Sequence, residues 1–239
     1  MTTHKIALVT GANKGIGFET TRRLAELGWT VWLGSRDPER GAAAARRVAD
    51  LLPKADVRPL ALDVTSDESV GTARKIVDET TGRLDAVVNN AGIGGRFASP
   101  EETVSDDALP VYEVNVIGPI RVTAALLPLL RRSADPRLVM VSSGVGSFGV
   151  TTDPDRLEST LHALVYPSSK AALNMITSQY AKSLRDIRVH AVDPGYTATD
   201  LNGHQGIQTV QEGAEAAVQA CVADELPGVF IDRHGAVPW

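Results

Sequence analysis

The chain has 239 residues and a formal net charge of −5, with 43% hydrophobic and 22% charged residues. That balance describes a globular protein with one large core, and an acidic chain with no basic patch is a poor partner for nucleic acid. Its one cysteine, Cys221, leaves no internal disulfide and fits a reducing compartment.

"KIALVT" (5–10) is a compact strand that follows four residues, "MTTH". The run is broken by glycine too soon for a signal peptide, and no stretch is expected to reach the roughly 18 apolar residues of a membrane span. A cytoplasmic protein with no membrane contact is expected. Residues 15–28 have helical spacing at Ile16, Leu24 and Leu27, with Gly28 as the stop. "TVWLGS" (30–35) is a second strand. Residues 37–52 form a helix with Asp37 as N-cap and Pro38 at its first position. A third strand lies in 56–64, and a helix capped by Ser66 or Asp67 runs over 66–82. "LDAVVNNAG" (84–92) is a fourth strand entering a loop. Residues 105–132 are mostly helical but interrupted by Gly118, Pro119 and Pro128, so a kink or break is expected there. Then come a strand (137–143), a strong helix (166–185), a strand (187–195), a helix (210–222) and a short strand (228–232).

Strands alternating with helices of this length imply βαβ units and a parallel sheet covered on both faces. Near-continuous apolar strands such as "IALV" and "LVMV" agree. The expected fold class is α/β: one doubly wound domain over 1–239, with a mostly parallel sheet of about seven strands. By itself that fold assigns no function.

"TGANKGIG" (10–17) places Gly11, Gly15 and Gly17 between a strand and a helix. Glycines there let the backbone bend and approach a pyrophosphate, and the helix start offers free N–H groups and partial positive charge. The spacing is G-x-x-x-G-x-G rather than the general G-x-G-x-x-G. Asn13, Lys14 and Ile16 belong to the same loop. The second strand ends "WLGSRD", so Ser35 holds the position where an acid would bind a ribose 2′-hydroxyl, and Arg36 follows. Lys14, Arg36 and a small hydroxyl suit a 2′-phosphate, which favours NADP(H) over NAD(H). A strand two residues longer would put Asp37 in the acid's place, where NAD(H) binding follows instead.

"YPSSK" (166–170) puts Tyr166 and Lys170 on one helical face, with Pro167 confining Tyr166 to the first turn. A cation held nearby favours the phenolate and lowers a tyrosine pKa, so Tyr166 is a candidate general acid. Alone the pair is weak evidence. However, TGANKGIG (10–17), NNAG (89–92), Asn115, SS-x-x-G (142–146), YPSSK (166–170) and PGYTAT (194–199) follow one another in a fixed order. That set closely resembles the short-chain dehydrogenase/reductase family, over nearly the whole chain. Lys14 within its glycine loop and the tail "VPW" look most like the carbonyl-reductase-like members.

The resemblance implies a Rossmann domain that binds NAD(P) and the following roles. Tyr166 donates a proton to the substrate oxygen, and Lys170 lowers its pKa and binds the nicotinamide ribose. Ser143 polarises the carbonyl, with Ser142 as the competing assignment. Asn115 holds a helix kink and a proton-relaying water, or else merely caps a broken helix. Asp63, with Val64 beside it, contacts the adenine. Asn89, Ala91 and Gly92 support the sheet and line the adenosine side. Pro194, Gly195, Thr197 and Thr199 hold the carboxamide and phosphate. No metal is implied. Two hydroxyls aimed at the oxygen on which charge builds are what carbonyl reduction needs.

Two departures stand out. Ser143 and Tyr166 are separated by 22 residues (144–165), longer than the family's usual connection, and the excess includes "TTDPDRLEST". Relatives with larger insertions here tend to be monomers, so a homo-oligomer and a monomer both stay open. The substrate loop, about 196–209, is short, which implies an open pocket tolerant of varied carbonyl compounds; His162 and His204 border it without a chemical role. The function implied is NADPH-dependent reduction of a ketone or aldehyde. The alternative is a non-catalytic dinucleotide sensor or scaffold of the same fold, which has no need of an intact Ser143–Tyr166–Lys170 set. A ring-opening or epimerising relative is a weaker option, because little chain remains after residue 200.

Overall fold

Seven runs of apolar sequence become strands in the computed structural model, which describes residues 4–239. They are β1 (Ile6–Val9), β2 (Thr30–Ser35), β3 (Asp56–Ala61), β4 (Ala86–Asn89), β5 (Arg137–Val141), β6 (Arg188–Val192) and β7 (Phe230–Ile231). All six neighbouring pairs are parallel, in the order β3-β2-β1-β4-β5-β6-β7. The helices are α1 (Gly15–Glu26), α2 (Pro38–Leu51), α3 (Asp67–Thr80), α4 (Ser105–Tyr112), α5 (Gly118–Leu130), α6 (Phe148–Thr151), α7 (Val165–Ser183), α8 (Val210–Gly213) and α9 (Glu215–Val222).

Strand side chains alternate between the two faces, and the core divides accordingly. Ala7 and Val9 join residues of α1, α2 and α9 in one apolar cluster, while Ile6 and Leu8 join residues of α3, α5 and α7 in another. Each large aliphatic side chain removed from water in these layers contributes about 1.5–3 kcal/mol. Short-range chemistry sets the helix starts. The Asp37 carboxylate accepts the N–H groups of Glu39 and Arg40, and Ser66 caps α3 by accepting from Ser69.

The chain between α4 and α5 differs from expectation. No break occurs at Gly118 or Pro119. A wider turn of π-helix, Glu113–Ile117, joins α4 to α5 and makes 105–130 one continuous helix. That helix is long and apolar enough to cross a membrane, with a mean hydropathy of 1.4, contrary to the expectation of no such stretch. Half of its most apolar window is buried inside the protein, where Val122, Leu126, Leu129 and Leu130 form part of the core. The predicted 210–222 helix is divided at Ala214 into α8 and α9.

Strand order reverses between β1 and β4, and the crevice outside their carboxyl ends is where such sheets bind ligands. The final residues return to that end of the sheet. Pro238 O accepts from Ser147 Oγ (2.6 Å), Trp239 O accepts from Gly149 N–H (2.8 Å), and the Trp239 ring lies 5.2 Å from that of Phe230.

Candidate active site

The loop leaving β1 is bonded to the loop leaving β4. The Thr10 hydroxyl accepts N–H groups from Asn90 (3.0 Å) and Ala91 (2.9 Å), and Asn90 Nδ2 donates back to the carbonyls of Thr10 (2.8 Å) and Gly11 (3.1 Å). Gly11 has φ +61, and a Cβ there would stand 2.9 Å from Ala91 Cα. A Cβ on Gly17 would meet Asn90 Nδ2 at 2.3 Å. The glycines at 11 and 17 are thus required by backbone approach to the β4 loop. No side chain caps α1, so its first N–H groups face the crevice free for an anion. This cradle fits the pyrophosphate of a dinucleotide. Asn13 in the loop and Ile16 in the first turn of α1 are half-buried.

At the end of β2, Ser35 is buried and donates its hydroxyl to Asp37 O (2.8 Å), while Asp37 is occupied as the cap of α2. The strand therefore stops at Ser35 and leaves no free acid at the ribose position. Arg36 is exposed and its charge reaches Asp63. Burial works against ionisation of Asp63, yet the N–H and hydroxyl of Thr65, with Arg36 and Arg121, hold its carboxyl below the usual range. Val64 packs on Gly118, where a Cβ would lie 2.9 Å from Val64 Cγ2. Lys14 departs from expectation. Its ammonium is drawn to Asp200 (2.5 Å), which also meets His204 (2.8 Å), so it spans to the segment after Thr199 instead of standing free beside the adenosine end.

The residues expected to carry the chemistry converge between β5 and α7. Ser142 is consumed structurally, donating to Asn174 Oδ1 (2.5 Å). Ser143, one residue on, starts the tight turn Gly144–Gly146, and its hydroxyl lies beside that of Tyr166. Lys170 is buried, with Nζ donating to Val141 O (2.8 Å) and standing 5.6 Å from the Tyr166 ring centroid. Asn115 sits within the π turn. It bonds both the N–H and carbonyl of Ile93 (2.9 Å each), and its Nδ2 also donates to Ser169 Oγ (3.1 Å). It thereby ties the widened helix to the β4 loop and to α7, near Gly92, whose Cβ would lie 3.4 Å from Asn115 Oδ1 and 3.6 Å from Lys170 Nζ. Asn89 donates to Thr123 Oγ1 (3.2 Å) and Met140 Sδ (3.3 Å), inside the core.

The electrostatics differ from the simple expectation that Lys170 lowers the Tyr166 pKa. Burial lifts the Tyr166 phenol well above its ordinary range, the Asp193 charge adds to the rise, and the Ser143 hydroxyl opposes it. Burial also pulls Lys170 down to about 8, against the opposing pull of Asp193. The physical reason is desolvation, together with an ammonium directed at Val141 O; in this state Tyr166 is a protonated donor.

The depressed Lys170 value has a consequence for stability. Between about 8 and its ordinary 10.5 the unfolded chain binds a proton that the folded chain has released, so stability rises with pH across that window. Below it the full burial cost stands. Lys170→Met is therefore expected to raise the ligand-free melting temperature at neutral pH, by an amount worth about 2 kcal/mol after the lost Val141 bond is allowed for. Thermal melts at neutral and alkaline pH check this, and the gain should shrink in alkali.

Beyond β6, Gly195 turns the chain with φ +68. Thr197 is buried and donates to Pro194 O (2.9 Å), and the Thr199 side chain approaches the Gly15 turn, 3.6 Å from where a Cβ would lie. Four residues of this site escaped the sequence reading. Asn90, Ser169 and Asn174 act through partners distant in the chain, and Asp193 reads as an ordinary turn residue before Pro194. The adjacency of Asn90 to Asn89 within NNAG was the one signal that could have found it.

Glycine cradle, strand reversal and the Ser143–Tyr166–Lys170 cluster together define a dinucleotide-binding oxidoreductase of the doubly wound class. A family model described as "short chain dehydrogenase" matches residues 5–209. A short-chain dehydrogenase, anuI, from Penicillium roqueforti is 36% identical over 98% of this chain and 96% of its own. A (+)-neomenthol dehydrogenase from Arabidopsis thaliana is 34% identical over 97% of each. The structure of an NADPH-bound carbonyl reductase from chicken fatty liver superposes with a TM-score of 0.85 at 30% identity, covering 99% of both chains. The chain belongs to the short-chain dehydrogenase/reductase family.

Proposed function

We propose that this protein reduces a ketone or aldehyde to an alcohol with NADPH, Tyr166 supplying the proton. The observation that carries it is the convergence of the Ser143 and Tyr166 hydroxyls beside buried Lys170, at the crevice where the glycine loop ends. Bound NADPH supplies the hydride. Ser143 donates a hydrogen bond to the carbonyl oxygen and polarises it, and Tyr166 protonates that oxygen as charge builds on it. Lys170 holds the ribose side of the dinucleotide and keeps positive charge under the phenol as it loses its proton. Asn115 keeps the β4 loop and α7 in register through its bonds to Ile93 and Ser169. The α1 start, Gly11 to Gly17, receives the pyrophosphate; Asp63 and Val64 border the adenine; Pro194, Gly195, Thr197 and Thr199 face the carboxamide and phosphate. The 196–209 segment serves as a short substrate loop. Phe97, half-exposed with its ring centroid 6.2 Å from that of Tyr166, gives the cleft an apolar wall. An apolar carbonyl compound is therefore the substrate class, in keeping with the neomenthol dehydrogenase and carbonyl reductase named above.

Preference for the 2′-phosphate rests on Ser35 and exposed Arg36. Arg36→Asp places an acid beside the ribose position, and the ratio of kcat/KM with NADPH to that with NADH is expected to fall by about 10²-fold or more. Initial-rate kinetics with both cofactors check it; an unchanged ratio would return the discrimination to Lys14. The function itself is tested by following cofactor oxidation against aldehydes, ketones, diones and quinones. Tight NADPH binding without turnover on any of them would sink it.

A further inference from the structure

The mechanism above leaves one buried acid without a task. Asp193, 4% exposed, follows β6 and sits behind the catalytic hydroxyls. One carboxylate oxygen accepts the Gly195 N–H (2.9 Å), and the Gly144 N–H also donates to the group. A Cβ on Gly144 would lie 2.7 Å from Asp193 Oδ2 and 3.2 Å from Glu158 Oε1, so both carboxylates press on the turn that begins at Ser143. Glu158 comes from the long connection before α7, and Asp232 from the loop after β7 closes the same cavity of about 190 Å³. The arginines lining that cavity have partners other than Asp193: Arg156 pairs with Glu158 (3.7 Å), and Arg233 pairs with Glu212 (2.7 Å) and donates to His234 of the same lining (3.0 Å). On the other side Asp193 acts through its charge on Tyr166 and Lys170 of α7.

A buried carboxylate with no cation bonded to it is costly. Holding two N–H groups does not require a full charge at this position. What the charge adds is an effect on its neighbours: it favours the protonated forms of both Tyr166 and Lys170, while burial first, and then Glu158 and Asp232, disfavour its own ionisation. We propose that Asp193 is a positioning residue of the reaction: it ties the Ser143 turn to the Pro194–Gly195 turn, and it sets a negative charge behind the Ser143–Tyr166 pair that keeps Tyr166 a proton donor. This rests on Tyr166 being the acid.

The test is the pH profile of kcat for carbonyl reduction and for alcohol oxidation, in the parent, in Asp193→Asn and in Asp193→Ser. Removing the charge lets the phenol ionise more easily. In both directions the limb governed by Tyr166 is expected to move down by about one pH unit. Reduction then fails earlier in alkali, and oxidation begins at lower pH. A limb that stays in place while kcat falls in either folded variant overturns the proposal, since a purely structural clamp lowers rate without moving a pKa. Tyr166→Phe runs alongside. If it retains full turnover, the assignment of Tyr166 fails and the inference with it. If it is inactive and the limbs are unmoved, the inference alone fails.

Discussion

Tyr166→Phe is expected to bind NADPH as the parent does and to reduce carbonyl compounds about 10³-fold more slowly. The substitution removes one hydroxyl and leaves the ring against Phe97, so the cleft keeps its shape. Its effect should fall on kcat, because the proton is needed only as charge develops on the substrate oxygen. The fold should suffer little, since the phenol loses only its bond with the Ser143 hydroxyl, while α7 stays tied through Ser169, which bonds the Tyr166 carbonyl at 2.7 Å and Asn115 at 3.1 Å. Cofactor fluorescence titration and steady-state kinetics separate the two quantities. A variant that loses binding as well as rate would mean that the hydroxyl holds the dinucleotide and is not specific to the chemical step.

Gly146→Ala should be a damaging single-methyl addition beside the Ser143–Lys170 cluster. A Cβ there would stand 2.5 Å from the carbonyl carbon of Lys170 and 2.8 Å from the Ala171 nitrogen. Both are backbone atoms of a long helix, so no rotamer change relieves the contact. Either the Gly144–Gly146 turn or α7 must shift, at a cost of about 1–3 kcal/mol. The shift falls between Ser143 and Lys170, where a displacement of about 1 Å costs on the order of 10²-fold in rate. Gly71→Ala is the matched control. Gly71 lies inside α3 with nothing within 4 Å of its would-be Cβ, and alanine there should stabilise by about 0.5–1 kcal/mol. Melting temperature and kcat, measured on both variants, check the contrast; equal melting temperatures would mean that the turn yields freely.

These residues also show where a sequence is informative. Asp37, Ser66 and Gly28 act within a few residues of their own position, so spacing alone gave their roles, and the β2 boundary followed. Tyr166 and Lys170 were legible for the same reason, being one turn apart on one helix. The sense of the Tyr166 shift was not legible, because it depends on burial and on Asp193, which enters from a different strand. Lys14 belongs to the same class: its partner, Asp200, is 186 positions away. The helix over 105–130 was misjudged in another way. Glycine and proline suggested a kink or a break, and the irregularity is a π turn held by Asn115 through bonds to Ile93 and Ser169, which composition does not encode.

The return of Pro238 and Trp239 to the loop after Ser143 has a practical side. A Cβ on Gly149 would lie 2.9 Å from Pro238 Cβ, so the two segments already touch without slack. Whatever displaces Trp239 is transmitted to α6, next to the turn that presents Ser143, and to Phe230 of β7. In practice a substitution or label at Pro238 or Trp239 is expected to be felt as altered turnover, whereas the start of β1 lies at the opposite end of the strands from the crevice.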